Sequence, residues 1–255
     1  ILQDRGWQTV GISAMPVVGP DQNIDRGFDR FVVDFDARAD KLADRTLAAT
    51  KDADPNCPLF VWTHFADPHF PYEPPIEHPR PDAPACTAVV AKDVAGKLAR
   101  YRYYENRDGR SEAIVAECTA LYDAEVTHAD RGVGAVLDGL RAQGRGDPIV
   151  VFTADHGENL GEWNLYFEHG PNAHDASLRV PLVVAGPGIK QGRTNTVVIL
   201  EDVLPTILNR LKIPAPVKMD GSDLFSSSRP PWVRAESGSA LHARLGDYLV
   251  AGRKT

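Results

Sequence analysis

The stretch Val150-Val151-Phe152-Thr153-Ala154-Asp155-His156-Gly157-Glu158 decides the fold. From Ile149 to Thr153 every side chain is apolar or β-branched, and the run then gives way to an acid, an imidazole and a glycine. A short apolar run bounded in this way reads as a buried strand. In open α/β sheets ligands bind beyond the carboxyl ends of strands, so Asp155 and His156 stand where a site is expected. A carboxylate beside an imidazole can form half of a divalent-metal site. Gly157 permits the sharp turn that aims both at one point. The same residues also suit a plain strand-end turn, with Asp155 as a cap and His156 on the surface, and spacing alone leaves both readings open.

Two further apolar runs, Leu59–Phe65 and Val180–Ala185, read as strands, the second closing on Gly186-Pro187-Gly188. Between the first strand and Ile149 lies a helical pattern from Ser111 to about Gln143. Its apolar positions are Ile114, Cys118, Leu121, Tyr122, Val126, Val133, Val136, Leu137 and Leu140, most of them three or four apart. Ser111 can cap its start and Gly144 can end it. A second helix is expected from about Asp202 to Leu211, with Pro205 in its first turn and Pro214 and Pro216 beyond it. Strands alternating with helices give α/β architecture with a largely parallel sheet. Pro71–Cys86 reads as an irregular loop and Ser226–Pro231 as a local linker. At the start, Ile1–Gly6 reads as the last turn of a helix with Gly6 as its cap, followed by a strand from Trp7 to Ser13. At the end, Asp247–Ala251 reads as a strand that has just begun. The expectation is a fragment cut at both ends.

Composition narrows the function. The chain has 255 residues, 43% of them hydrophobic and 25% charged, which suits a globular protein and excludes global disorder. Lys plus Arg is 28 and Asp plus Glu is 35, a net charge of −7, with no basic stripe, so nucleic acid is not the expected partner. An acidic protein that acts on anions needs a local positive centre, such as a metal or a cluster of His, Lys and Arg. No apolar run of about 18 residues is present, so no transmembrane segment is expected. Cys57, Cys86 and Cys118 are odd in number and widely spaced, which reads as buried or idle thiols rather than a disulfide framework.

Other histidines occupy restrained positions. In Phe60-Val61-Trp62-Thr63-His64-Phe65-Ala66-Asp67-Pro68-His69-Phe70-Pro71-Tyr72, His69 lies between two prolines in a loop after a strand. A preorganised imidazole there could donate to an anionic substrate or a leaving oxygen. A histidine packed in a proline-aromatic loop is the plainer alternative. His64 alternates with Trp62 and reads as structural. His169, in a loop before the strand at Val180, could return to the cleft of Asp155. Arg179 reads as one half of a structural ion pair.

Asp155-His156-Gly157-Glu158, His169-Gly170 and Leu178-Arg179-Val180-Pro181-Leu182 through Gly186-Pro187-Gly188 together resemble the sulfatase family of the alkaline phosphatase superfamily. Asp67-Pro68-His69 resembles the family's Asp-Pro-His loop. Asp202–Leu208 with Asp220-Gly221-Ser222-Asp223-Leu224 resembles its later helix and Asp-Gly turn. The motifs occur in the family's order from about Gly6 to Leu249. The resemblance implies an alkaline-phosphatase-like central sheet, largely parallel or mixed, between helical layers and truncated here. Residues 1–225 would be a partial catalytic domain and 226–255 the start of the C-terminal region.

The resemblance further implies that Asp155 and His156 are metal ligands, with calcium the first expectation and manganese or zinc the alternatives. His69 would contact the sulfate and its ester oxygen, and His169 would neutralise substrate charge. The substrate would be a small-molecule or carbohydrate sulfate ester. The family's nucleophile is a formylglycine made in a Cys/Ser-x-Pro-x-Arg motif, and no Cys or Ser of this chain matches it. That motif and two acidic ligands are expected in a segment preceding the chain. Residues 1–255 alone are therefore expected to show negligible hydrolase activity, since two ligands hold an ion weakly. The alternatives are a phosphodiesterase or a phosphoglycerol or phosphoethanolamine transferase of the same superfamily, and a non-catalytic relative that binds only a metal or an anion.

Overall fold

A computed structural model describes residues 1–35, 37–75, 81–88, 112–162, 165–169, 174–226, 232–237, 240–245 and 248–253. The chain forms two compact units: Ile1–Asp147 with Trp163–Phe167, and Pro148–Glu162 with Glu168–Thr255.

The first unit is built on a parallel sheet. Strand β1 (Gln8–Ser13) lies between β2 (Arg30–Val33) and β3 (Leu59–His64), with Val10 opposite Arg30 and Val61. β1 is buried along almost its whole length, as befits a central strand covered on both faces. Side chains alternate along β3. Phe60, Trp62 and His64 share one face, where Phe28 and Phe31 join them and the Trp62 and His64 rings stack 5.4 Å apart. On the other face Val61 packs against Ala43, Val136 and Leu140.

Those partners come from helices α1 (Ala39–Thr50) and α2 (Glu112–Ala142). Two glycines let α2 approach α1 closely. A Cβ on Gly132 would lie 2.8 Å from Ala39 Cβ, and one on Gly139 would lie 2.4 Å from Leu47 Cδ1. Leu42, at 0% exposure in this core, would cost about 2–5 kcal/mol if cut to alanine.

The second unit carries β4 (Val150–Thr153), the short strands β5 (Asn159–Leu160) and β6 (Tyr166–Glu168), whose last residue alone belongs to it, helix α3 (Asp175–Leu178) and β7 (Leu182–Ala185). β4 and β7 pair antiparallel, with Thr153 opposite Leu182. Helix α4 (Val203–Arg210) follows, and Asp202 anchors its start. The Asp202 carboxylate accepts from the Ile199 and Ser222 amides at 2.9 and 2.7 Å. This ties the Asp220-Gly221-Ser222 turn to the helix, and a Cβ on Gly221 would lie 2.0 Å from Glu201 O. Strands β8 (Trp232–Ser237), β9 (Ala240–Leu245) and β10 (Tyr248–Arg253) form an antiparallel sheet.

The fold is mixed α/β with a parallel sheet, as expected, and the long helix and the helix after Asp202 stand where their periodicity places them. Gly144 follows α2 with φ +80°, and Gly6 caps a 3-10 turn at Gln3–Arg5. The Ser111 cap, Gly170, Asp247 and most of the Ser226–Pro231 linker lie outside the described residues.

Two readings change, and two elements, β2 and α1, arise in a stretch for which the sequence had yielded no reading. The end of Pro71–Cys86 is not irregular, since residues 84–88 are helical. The cysteines also depart from expectation: Cys86 and Cys118 form a disulfide, and Cys57 alone is a free thiol. Sequence spacing cannot register the contact that joins them. The Ala85 and Cys86 amides donate to Glu117 Oε2 at 2.7 and 3.1 Å, which brings the helical turn against the start of α2 beside Cys118.

Candidate active site

In the second unit Asp155, His156 and His169 come together at the end of β4. The His156 amide donates to Asp155 Oδ1 at 3.0 Å, and His156 Nδ1 lies 2.9 Å from Gly157 O. A carbonyl can only accept, so Nδ1 carries the proton and the lone pair of the neutral ring is on Nε2. That Nε2 is 3.7 Å from Asp155 Oδ2. Two donors each about 2.0–2.2 Å from one ion can be no more than about 4.4 Å apart, so this pair fits a shared divalent cation. The backbone bond to Nδ1 is also the usual way a ligating histidine is oriented. Among the described residues no group of three or more His, Cys, Asp or Glu side chains converges as a complete metal site.

The His169 ring stacks on His156 with centroids 3.8 Å apart and an 18° interplanar angle. Its Nδ1 lies 3.3 Å from Glu158 Oε1, and the Glu158 side chain is only 6% exposed. Glu158 thus orients His169, a role that sequence reading had not given it. Backbone geometry fixes the turn beneath. The Gly157 amide donates to Ser177 O at 2.8 Å, and a Cβ on Gly157 would lie 2.0 Å from Ala176 O. Only glycine fits that approach. Asn159 steadies the same turn, donating from Nδ2 to Glu168 O at 2.7 Å and to Ser177 Oγ at 2.8 Å.

His69 belongs to the first unit, in the loop after β3. Its amide donates to Ala66 O at 2.7 Å, and its Nδ1 donates to Phe70 O at 2.6 Å. The neighbouring Asp67–Pro68 and Phe70–Pro71 bonds are cis. Phe70 and Tyr72 are buried and meet edge to face, while His69 is half-buried. His64 keeps the structural role its alternation suggested, stacked on Trp62 with Nδ1 3.1 Å from Ser13 Oγ.

A buried charge cluster underlies this loop. Arg38 Nη1 donates to Asp67 Oδ1 at 3.0 Å and to Glu125 Oε1 at 2.8 Å. Glu125 Oε1 also accepts from the Glu73 amide at 2.7 Å. Burial pushes the Glu125 carboxyl up to about 7, against the opposing pull of the Glu73 amide and the Arg38 charge, with Asp67 adding to the rise. The same acids raise the Arg38 guanidinium, although burial works against them. Sequence reading missed Arg38 and Glu125. A signal existed for Glu125, which falls on the spacing of Cys118, Leu121, Val136 and Leu140 and so on the buried stripe of α2.

The sequence model of the sulfatase family matches residues 2–213. The chain belongs to the sulfatase family. It is 31% identical to arylsulfatase K of Bos taurus over 150 residues, covering 52% of this sulfatase chain and 27% of that one. It is 30% identical to choline-sulfatase of Rhizobium meliloti (strain 1021), covering 63% of this chain and 33% of that one. The sulfatase chain thus spans about a third or less of these two relatives. Its fold matches a solved structure of a protein in complex with its substrate D-glucosamine-2-N,6-O-disulfate, with a TM-score of 0.74, 19% identity, and coverage of 98% of this chain and 71% of that one. It also matches the phosphonate monoester hydrolase of Silicibacter pomeroyi, with a TM-score of 0.66, 18% identity, and coverage of 99% and 70%.

Proposed function

We propose that this protein hydrolyses sulfate esters, small-molecule or carbohydrate, with the help of a divalent cation held in part by Asp155 and His156. The observation that carries the reading is the strand-end pair itself: His156 Nε2 and Asp155 Oδ2 are 3.7 Å apart, with His156 Nδ1 tied to Gly157 O. Membership of the sulfatase family supports sulfate as the group acted on.

When bound, the cation supplies Lewis-acid stabilisation of charge on the sulfuryl group; calcium is the first choice, with manganese or zinc as alternatives. Asp155 contributes anionic charge to that ion, and His156 contributes a neutral, oriented nitrogen. His169 adds positive potential in its imidazolium form and is aimed by Glu158. His69 supports the leaving oxygen through Nε2, which has a proton to give only in the imidazolium form because Nδ1 donates to Phe70 O. No Cys or Ser of residues 1–255 carries the Cys/Ser-x-Pro-x-Arg motif, so none of them is proposed as the nucleophile.

The test compares an aryl sulfate with an aryl phosphonate monoester as substrates of the full-length protein, with and without a chelator. Faster turnover of the sulfate, lost on chelation and restored by a divalent ion, is expected. Preference for the phosphonate would transfer the site to phosphorus chemistry. Turnover indifferent to chelation would remove the metal. Calorimetric titration of calcium or manganese into Asp155→Ala checks the ligand assignment independently, with weaker binding than the wild type expected.

A further inference from the structure

The loop from Asp67 to Glu73 is fastened at both ends to the same two side chains. At its entry Asp67 Oδ1 accepts from Arg38 Nη1, and at its exit the Glu73 amide donates to Glu125 Oε1. Arg38 Nη1 and Glu125 Oε1 are themselves 2.8 Å apart, so both ends of the loop converge on one ion pair. Arg38 Nη2 lies 3.7 Å from Glu73 Oε2 as well. The pair is contributed by the residue preceding α1 and by the middle of α2. Between the fastened ends Phe70 and Tyr72 are buried, and Tyr72 packs edge-on against Tyr122 of α2.

We infer that Arg38 and Glu125 are positioning residues that clamp both ends of the Asp67–Glu73 loop and so fix the direction of the His69 imidazole. Its bearing on turnover rests on the role proposed above for His69. Stability alone is a poor reason for the cluster. A buried ion pair seldom contributes more than well-packed apolar residues of the same volume, because desolvating the charges offsets their attraction. Here Glu125 Oε2 and Asp67 Oδ2 are buried without a hydrogen-bond partner among the described residues, which adds to that cost. What the cluster does supply is a fixed distance between the two ends of a loop whose own backbone forms no ladder. A loop closed in this way holds its central side chain without a strand or helix beneath it. Glu125 acts through one acceptor atom, Oε1, and a carboxamide retains that atom.

The clamp is tested on the full-length protein with Glu125→Ala and Glu125→Gln, by amide hydrogen exchange over residues 66–73 and by kcat and KM on an aryl sulfate. Glu125→Ala is expected to raise exchange at the Glu73 amide about tenfold or more while β1 is unchanged. It should lower kcat about tenfold with little change in KM, because the loss is one of orientation. Glu125→Gln should restore both. Unchanged exchange in Glu125→Ala overturns the clamp, and so does failure of Glu125→Gln to rescue. Release of the loop with no loss of kcat leaves the clamp standing and overturns the proposed role of His69. If Glu125→Ala does not fold, the wild-type Glu73 amide decides: protection in a segment without strand or helix supports the clamp, and exchange at the rate of an unprotected peptide overturns it.

Discussion

His156 and His69 each donate from Nδ1 to a backbone carbonyl, Gly157 O at 2.9 Å and Phe70 O at 2.6 Å, yet the chain beneath each ring is held differently. Under His156 the fastenings are backbone ones: its own amide to Asp155, and the Gly157 amide to Ser177 O across a close backbone contact. Under His69 they reach across the first unit, to Arg38 and to Glu125. The strand-end group is therefore held by a backbone bond and a close approach that require Gly157 to stay glycine. The His69 loop depends on side chains that carry no chemistry of their own.

The comparison is sharpest when each ring is removed in turn from the full-length protein. If Asp155 and His156 hold a divalent ion as proposed, His156→Ala should reduce kcat/KM for an aryl sulfate by about a thousandfold, since it would delete one of the ion's ligands. Unchanged kcat/KM and unchanged divalent-ion affinity in His156→Ala would refute its role as a ligand. His69→Ala should reduce kcat by about a hundredfold with the fold intact, as expected for loss of a single general-acid or hydrogen-bond donor. Equal rates for His69→Ala and wild type would remove it from the mechanism.

A smaller effect separates backbone from side-chain support. Gly157→Ala should lower stability by about 1–3 kcal/mol, because its Cβ meets the Ala176 carbonyl at 2.0 Å and backbone must move. Thermal unfolding measures the loss, and divalent-ion binding should weaken with it. No distant substitution in the second unit is expected to couple to that change. In the first unit, by contrast, loss of Glu125 should act on His69 without any direct contact between them.

This contrast also explains what the sequence made legible. Asp155, His156 and Gly157 are adjacent and follow a strand directly, so the sequence alone places them at a strand end, although the Gly157 amide's bond to Ser177 O reaches beyond the motif. The α2 periodicity is equally local, and its helix runs close to the expected limits. Arg38 and Glu125 are 87 positions apart, and their pairing exists only once α1 and α2 have packed. The Cys86–Cys118 disulfide is hidden for the same reason, with 32 positions between its halves. α1 went unread because its charged face interrupts a short apolar pattern, Leu42, Ala43, Thr46 and Ala49, rich in alanine and threonine.

The smallest expected effect is the most specific to the buried cluster. Glu125 titrates near 7 in the folded protein against an ordinary value of 4.5, chiefly because burial disfavours its charge. Among the described residues the charges of Arg38 and Asp67 act on it, and the Glu73 amide donates to it. Between those two values the folded state binds more protons at this site than the unfolded state does, so the slope of stability against pH is negative. The contribution is fully present below about pH 4.5 and is lost as pH rises through about 7. Glu125→Gln removes the titration and keeps the Oε1 acceptor. Its stability relative to wild type should therefore rise from about pH 5 to about pH 8, as read from urea midpoints at the two values. Subtracting the variant cancels every other titrating group that the substitution leaves alone. A difference that stays flat across this range would mean that Glu125 remains ionised throughout, with Arg38 outweighing burial. The cluster would then be an ordinary salt bridge, and its strength would not change where the His69 loop has to work.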